Sequence, residues 1–142
     1  MSPDDSVPAG GSSPNRWLQV CRADQLVEGA DGVRFDLPPW ASPSGLAQPA
    51  FVVRYDGQAR AFLNRCAHVP VELDWQPGRF FEDSGLYLIC ATHGAMYRPD
   101  DGYCVAGPCR GRSLQALPCR EIDGLVIVGV IDASAPSKDN TP

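Results

Sequence analysis

The chain has 142 residues, which is room for one domain of ordinary size. Gly and Pro supply 14 residues each, above the usual share, and this argues against long helices and for short strands joined by turns. Acids outnumber bases 17 to 12, for a net charge of −5, and no stripe of one sign is visible, so the clustered positive charge that nucleic acid demands is missing. A mildly acidic surface suits either a basic partner protein or plain solubility. No apolar run reaches the roughly 18–20 residues of a membrane span. The start, Met-Ser-Pro-Asp-Asp-Ser, has no basic or apolar signal region, so the expected location is the reducing cytoplasm. The 6 Cys are then ligands or core residues more readily than a disulfide framework.

Residues 1–14 and 133–142 read as disordered tails, which leaves a folded unit at residues 15–132. Trp17, Leu18, Val20 and Cys21 open it as a strand. Residues 24–29 suggest one helical turn stopped by Gly29. Residues 33–37 alternate apolar and polar as a half-buried strand does. Residues 37–49 carry four Pro and read as a loop around Trp40, which either covers an apolar edge or docks a partner. Residues 51–55 and 60–63 form a hairpin about Asp56-Gly57. Trp75 and Phe80-Phe81 suggest a small local core, and residues 86–89 a short buried strand. Residues 116–122 and 125–131 form a second hairpin about Asp123-Gly124. The continuous apolar run at 125–128 suggests the inside of a sandwich or barrel. The expected class is therefore all-β.

The chain holds 2 His, and each follows closely on a Cys: Cys66-Ala67-His68 and Cys90-Ala91-Thr92-His93. Both pairs come just after expected strands. Two loops, each offering a thiolate and an imidazole, suit one metal centre. A one-residue gap in an extended segment points both side chains the same way; a two-residue gap does so in a tight turn. Thiolates favour ferric iron with bridging sulfide, and neutral imidazoles make the second iron easier to reduce. Zinc takes the same donors, although its usual knuckles pair Cys with Cys and His with His. Unliganded core residues are the plain alternative.

Cys66-x-His68 with Cys90-x-x-His93-Gly94 closely resembles the Rieske iron–sulfur motif. The resemblance extends over about residues 16–130, through Asn64-Arg65, Tyr97, Gly102, Gly107-Pro108 and the segment 114–118. It implies stacked antiparallel sheets with a small cluster-binding subdomain, at about residues 64–113. Two ligand loops and a third loop around Pro108 would surround one [2Fe–2S] cluster. Cys66, His68, Cys90 and His93 would be its ligands, with Gly94, Tyr97 and Pro108 packed around them and the His side near the surface.

Departures from the family pattern are informative. Respiratory members join their ligand loops by a disulfide, but the matching neighbourhoods here hold Val71 and Thr92. A sulfide-bonding Ser is replaced by Ala95, and the usual Gly after the first His by Val69. Lost donors destabilise the reduced cluster, while Tyr97 donating to a cluster sulfur would act the other way. The balance predicts a midpoint below about +100 mV, within the roughly −150 to +300 mV of such centres. His ligation also predicts a midpoint that falls with rising pH once the oxidised cluster's imidazoles lose protons.

Cys104 and Cys109 flank the Pro loop as Cys-x₄-Cys. In a reducing cell they are expected to be two small buried residues, with a disulfide or a second redox device as the alternative. Cys21 and Cys119 are expected in the core.

The expected function is a small electron carrier between a reductase and an acceptor oxidoreductase, without catalysis of its own. No nucleophile–base set, phosphate-binding Gly loop or small-molecule site is evident. The alternative is a non-catalytic Rieske subunit of a larger oxidoreductase, of nitrite-reductase or oxygenase type. A complete oxygenase would need a further iron held by two more His and a carboxylate, and no His remains. A DNA-binding sensor would need a helix-turn-helix or a basic patch.

Overall fold

The computed structural model describes residues 14–42, 45–67, 69, 71–74 and 76–132. The expected tails, apart from Pro14, lie outside the described residues, as do His68 and Trp75. Among the described residues ten strands form: β1 (Arg16–Arg22), β2 (Val33–Leu37), β3 (Gln48–Tyr55), β4 (Gln58–Leu63), β5 (Leu88–Ile89), β6 (Met96–Tyr97), β7 (Cys104–Ala106), β8 (Ala116–Leu117), β9 (Cys119–Ile122) and β10 (Leu125–Val130). They pair antiparallel in three sheets, ordered β1-β10-β9, β2-β3-β4-β8 and β5-β6-β7. Among the described residues the only helical elements are two short 3-10 turns, so the expected all-β class is what forms.

Strand alternation in the middle sheet accounts for the layering. In β3, Ala50 and Val52 enter the core shared with the first sheet, while Phe51 and Val53 enter the core next to the third. β4 repeats the pattern, with Ala61 and Leu63 on one side and Phe62 on the other. Both faces are buried, so the run Ala-Phe-Val-Val is continuously apolar. The run at 125–128 differs from expectation. Val126 and Val128 are fully buried but Leu125 and Ile127 only partly, because β10 belongs to an outer sheet covered mainly on one face.

Both expected hairpins form. Asp56 and Gly57 have φ of 56° and 75°, and Asp123 and Gly124 have 53° and 78°, the paired left-handed residues that match strand twist. Pro118, which has no N–H for a ladder, splits the expected strand 116–122. β8 joins the middle sheet and β9 the first. The turn expected at 24–29 contracts to Ala23–Gln25. The strand expected at 86–89 begins only at Leu88, after the tight turn closed by Gly85 N–H on Glu82 O at 2.8 Å, and Leu86 is exposed. Arg54 ties the layers together, donating to Ala23 O, Leu26 O and Glu121, each at 3.0 Å.

Phe80 and Phe81 do form a core, one continuous with the main apolar layer: Phe80 stacks on Phe51 with ring centroids 3.9 Å apart. Trp40 remains two-fifths exposed, with the Arg16 guanidinium 4.5 Å above its ring. Cys21 is buried in β1, and Cys119 is only partly buried in β9. Burial still pushes the Cys119 thiol up to about 12. Among the described residues no helix is long and apolar enough to cross a membrane.

Candidate metal centre

The first loop leaves β4 at Asn64 and is folded back by Cys66 N–H on Val71 O at 2.8 Å. The second runs from β5 to β6. It is closed by Cys90 N–H on Ala95 O and Gly94 N–H on Cys90 O, both 2.9 Å, and Gly94 supplies the positive φ of 74° that this turn requires.

Leu73 couples the two loops. Its N–H donates to Asn64 Oδ1 at 2.8 Å, and its carbonyl accepts from Ala91 N–H at 3.1 Å. Asn64 is buried and uses its other amide end on Asp74 Oδ1 at 2.9 Å. The second oxygen of Asp74 accepts from Gly78 N–H at 2.9 Å and lies 3.4 Å from Arg34 Nε. Every polar atom of this buried pair thus has a partner, the condition under which burial costs little.

Cys66 and Cys90 are both buried in one core cluster, close enough for the Cys66 thiol to help raise that of Cys90. Burial raises the Cys90 thiol above its ordinary value, so a thiolate there calls for a positive charge beside it. Tyr97 Oη lies 3.2 Å from Cys66 Sγ, accepts from Ala67 N–H at 3.1 Å, and lies 3.1 Å from Cys109 Sγ. Burial and those sulfur contacts hold the phenol far above the usual tyrosine range, so it keeps its proton.

The structure therefore brings Cys66, Cys90 and Tyr97 together. His93 is exposed, on the second loop beside Gly94. Among the described residues no three His, Cys, Asp or Glu side chains gather as a metal cage; His68, the remaining member of the set, lies outside them. Two buried thiols from separate loops, with an imidazole on the rim, fit a thiolate–imidazole iron–sulfur centre in donor type and placement.

The third loop closes the site. Pro108 is exposed, while Gly107 (φ 99°) is pressed on Ala95: a Cβ there would lie 2.8 Å from Ala95 Cα. Beside Cys66 opens a cleft of about 440 Å³ lined in part by Arg65, Val69, Arg112 and Ser113. Arg65, Arg110 and Arg112 are exposed and have no carboxylate partner among the described residues. Arg65 and Arg112 both line this cleft, so the topology brings together bases from two separate loops beside Cys66.

Sequence reasoning passed over Leu73 and Asp74. An Asp four residues before the Gly of a Pro-Gly turn was the available signal for Asp74. For Leu73 none existed, since it acts through its backbone.

Comparison with known proteins extends this geometry. The terminal oxygenase of carbazole 1,9a-dioxygenase from Novosphingobium sp. KA1 matches with a TM-score of 0.65 and 26% identity, over 88% of this chain and 32% of that one. The corresponding oxygenase from Nocardioides aromaticivorans IC177 gives 0.64 and 21%, over 88% and 33%. A reduced complex between oxygenase and ferredoxin in carbazole 1,9a-dioxygenase gives 0.65 and 22%, over 88% and 31%. Those two, below a quarter identity, speak for the fold alone. The chain spans about a third of the length of these solved relatives. Comparison with curated proteins finds no match. The model of the Rieske [2Fe–2S] domain family, whose domain carries a single [2Fe–2S] cluster site, matches residues 16–121, most of the chain, and the chain belongs to that family.

Proposed function

We propose that this chain is a one-electron relay in which Cys66, His68, Cys90 and His93 hold the cluster. The observation carrying this reading is the meeting of two buried thiols from separate loops, each loop with a His at the motif's spacing. The bound cluster would supply reversible one-electron chemistry. The protein's part is to exclude water from the sulfur side with Leu73, Phe80 and Phe81, and to donate the Tyr97 proton to Cys66. It also keeps the His93 edge open to solvent, where an electron enters or leaves. With no further His in the 142 residues, the mononuclear iron of a complete oxygenase has no ligand set here. The chain is read as a non-catalytic redox component.

Of the two settings for such a relay, the comparisons favour the Rieske component of a larger, oxygenase-type oxidoreductase over a free-standing ferredoxin. The matched structures are terminal oxygenases, one of them in complex with a ferredoxin. Redox proteins are the partners this reading requires, a donor and an acceptor. The unpaired Arg65, Arg110 and Arg112 favour a partner surface rich in carboxylates.

The deciding experiment is iron and acid-labile sulfide analysis with an EPR spectrum of the dithionite-reduced protein, purified without air. About two iron and two sulfide per chain, with a rhombic signal of low average g, are expected. Replacing either Cys66 or Cys90 with Ser should abolish it. Zinc, or no metal in a folded protein, would sink the relay reading. Co-purification with a large oxygenase-type chain separates the component from the free carrier.

A further inference from the structure

Cys104 begins β7, and the turn after it brings Cys109 back on top of it. Cys104 N–H donates to Arg112 O at 2.8 Å, and its carbonyl accepts from Gly111 N–H at 3.2 Å. Within the turn, Arg112 N–H donates to Cys109 O at 2.9 Å and Arg110 N–H to Gly107 O at 3.2 Å. Both sulfurs are buried and stand 3.0 Å apart, with Cys104 also donating to Ala106 O at 3.2 Å. Two cysteines that merely filled space would have no need to share a proton inside a turn closed on both sides of them. A single loop carrying exposed Gly107, Pro108, Arg110 and Gly111 covers the pair.

We propose that Cys104 and Cys109 form a reversible dithiol–disulfide couple that adjusts the cluster through Tyr97. The oxidant is a low-molecular-weight disulfide of the glutathione type. Burial raises the Cys109 thiol to about 11, so it must first lose its proton to base; as thiolate it then attacks one of the oxidant's sulfurs, that S–S bond breaks and one small thiolate leaves. Cys104, as thiolate, then attacks the Cys109 sulfur of the mixed disulfide and expels the second small thiolate. Two electrons pass from the protein pair to the oxidant, and the two thiol protons end on the two small thiols.

The link to the cluster runs through one phenol. Tyr97 Oη touches both Cys109 Sγ and Cys66 Sγ, and carries a single proton. Cys109 spends its one S–H on Cys104 Sγ, so Cys109 Sγ and Cys66 Sγ compete for the single Tyr97 proton. In a disulfide the Cys109 sulfur is a poorer acceptor, so the Tyr97 proton turns to Cys66 and the cluster's midpoint rises. The disulfide rests on the loop geometry alone; its effect on the midpoint rests on Cys66 being an iron ligand.

The test exposes the intact, anaerobically purified holoprotein to graded ratios of oxidised to reduced glutathione. Free thiols are alkylated in denaturant and assigned by mass, and iron and sulfide are measured on the same samples. The expected result is a Cys104–Cys109 segment that resists alkylation and is lighter by two hydrogens, with iron content unchanged and reversal by dithiothreitol. The cluster midpoint should rise on oxidation, and the rise should vanish in Tyr97→Phe. Alkylation of both thiols at every ratio, or a disulfide that appears only as iron is lost, would overturn the couple. A disulfide that leaves the midpoint in place would overturn the link through Tyr97. A preparation without iron would defeat the relay reading, and the thiol count would still decide the couple.

Discussion

Tyr97 Oη sits 3.2 Å from Cys66 Sγ, and both groups are buried. In the proposed centre Cys66 Sγ would be bound to iron and could only accept, which would make the phenol the donor. It stabilises negative charge on the sulfur, and more so after reduction. Tyr97→Phe should lower the midpoint by about 40–80 mV, the equivalent of roughly 1–2 kcal/mol for a one-electron couple. Protein-film voltammetry reads this directly, and an unchanged potential would refute the donor role.

The wild-type midpoint itself should fall below about +100 mV. Ala95 offers no hydroxyl in the position of the family's sulfide-bonding Ser, which leaves Tyr97 beside Cys66 and Thr92 beside Cys90 as donors. A redox titration giving a value near the top of the family's span would contradict this balance.

Asn64→Ala should cost about 2–4 kcal/mol, because it strands the Leu73 N–H and removes a partner from the buried Asp74 carboxylate. Urea unfolding would show the loss. Iron retention should fall in parallel, since Leu73 also holds the second loop through Ala91.

Gly107→Ala combines a left-handed φ of 99° with a contact of 2.8 Å on Ala95 Cα. Neither backbone can give way without opening the loop, so a loss of about 1–3 kcal/mol is expected. Gly57→Ala provides the comparison: its turn also needs a positive φ, but a Cβ there meets nothing within 4 Å. Faster cluster loss in Gly107→Ala alone, followed by absorbance, would separate crowding at the site from simple turn strain.

Glu121 has its carboxyl held below its usual value, chiefly by its hydrogen bond to Arg54. A folded-state value depressed below the unfolded one gives stability that is present above the unfolded value, near pH 4.3, and is lost as pH falls through the folded value. The pair is partly exposed, so its contribution stays under about 1 kcal/mol. Glu121→Gln should flatten the acid limb of the stability curve below about pH 4.5 and change little at neutrality; an identical acid limb would dismiss the pair.

Strand positions with a two-residue period and the two Asp-Gly turns were legible in the sequence because they depend on neighbours alone. The family was legible because two Cys–His pairs at those spacings are specific to it. What escaped was set by distant contacts. β6 and β7 are short, and Tyr97 pairs with Leu88 on one side and Cys104 on the other, relations that no local pattern carries. Arg65 and Arg112 share a cleft because two loops separated by more than forty residues meet. Cys104 and Cys109 were noticed as a spacing, but their closeness follows from the turn hydrogen bonds around them.

The brace made by Asn64, Leu73, Asp74 and Gly78 bears on speed as well as on stability. Electron transfer is slowed by whatever atoms must shift when charge arrives. Here the peptide groups behind the sulfurs are already committed to partners and have little left to rearrange. In the proposed relay, a centre held this way would have a small reorganisation energy and would exchange electrons quickly even when the driving force between donor and acceptor is slight.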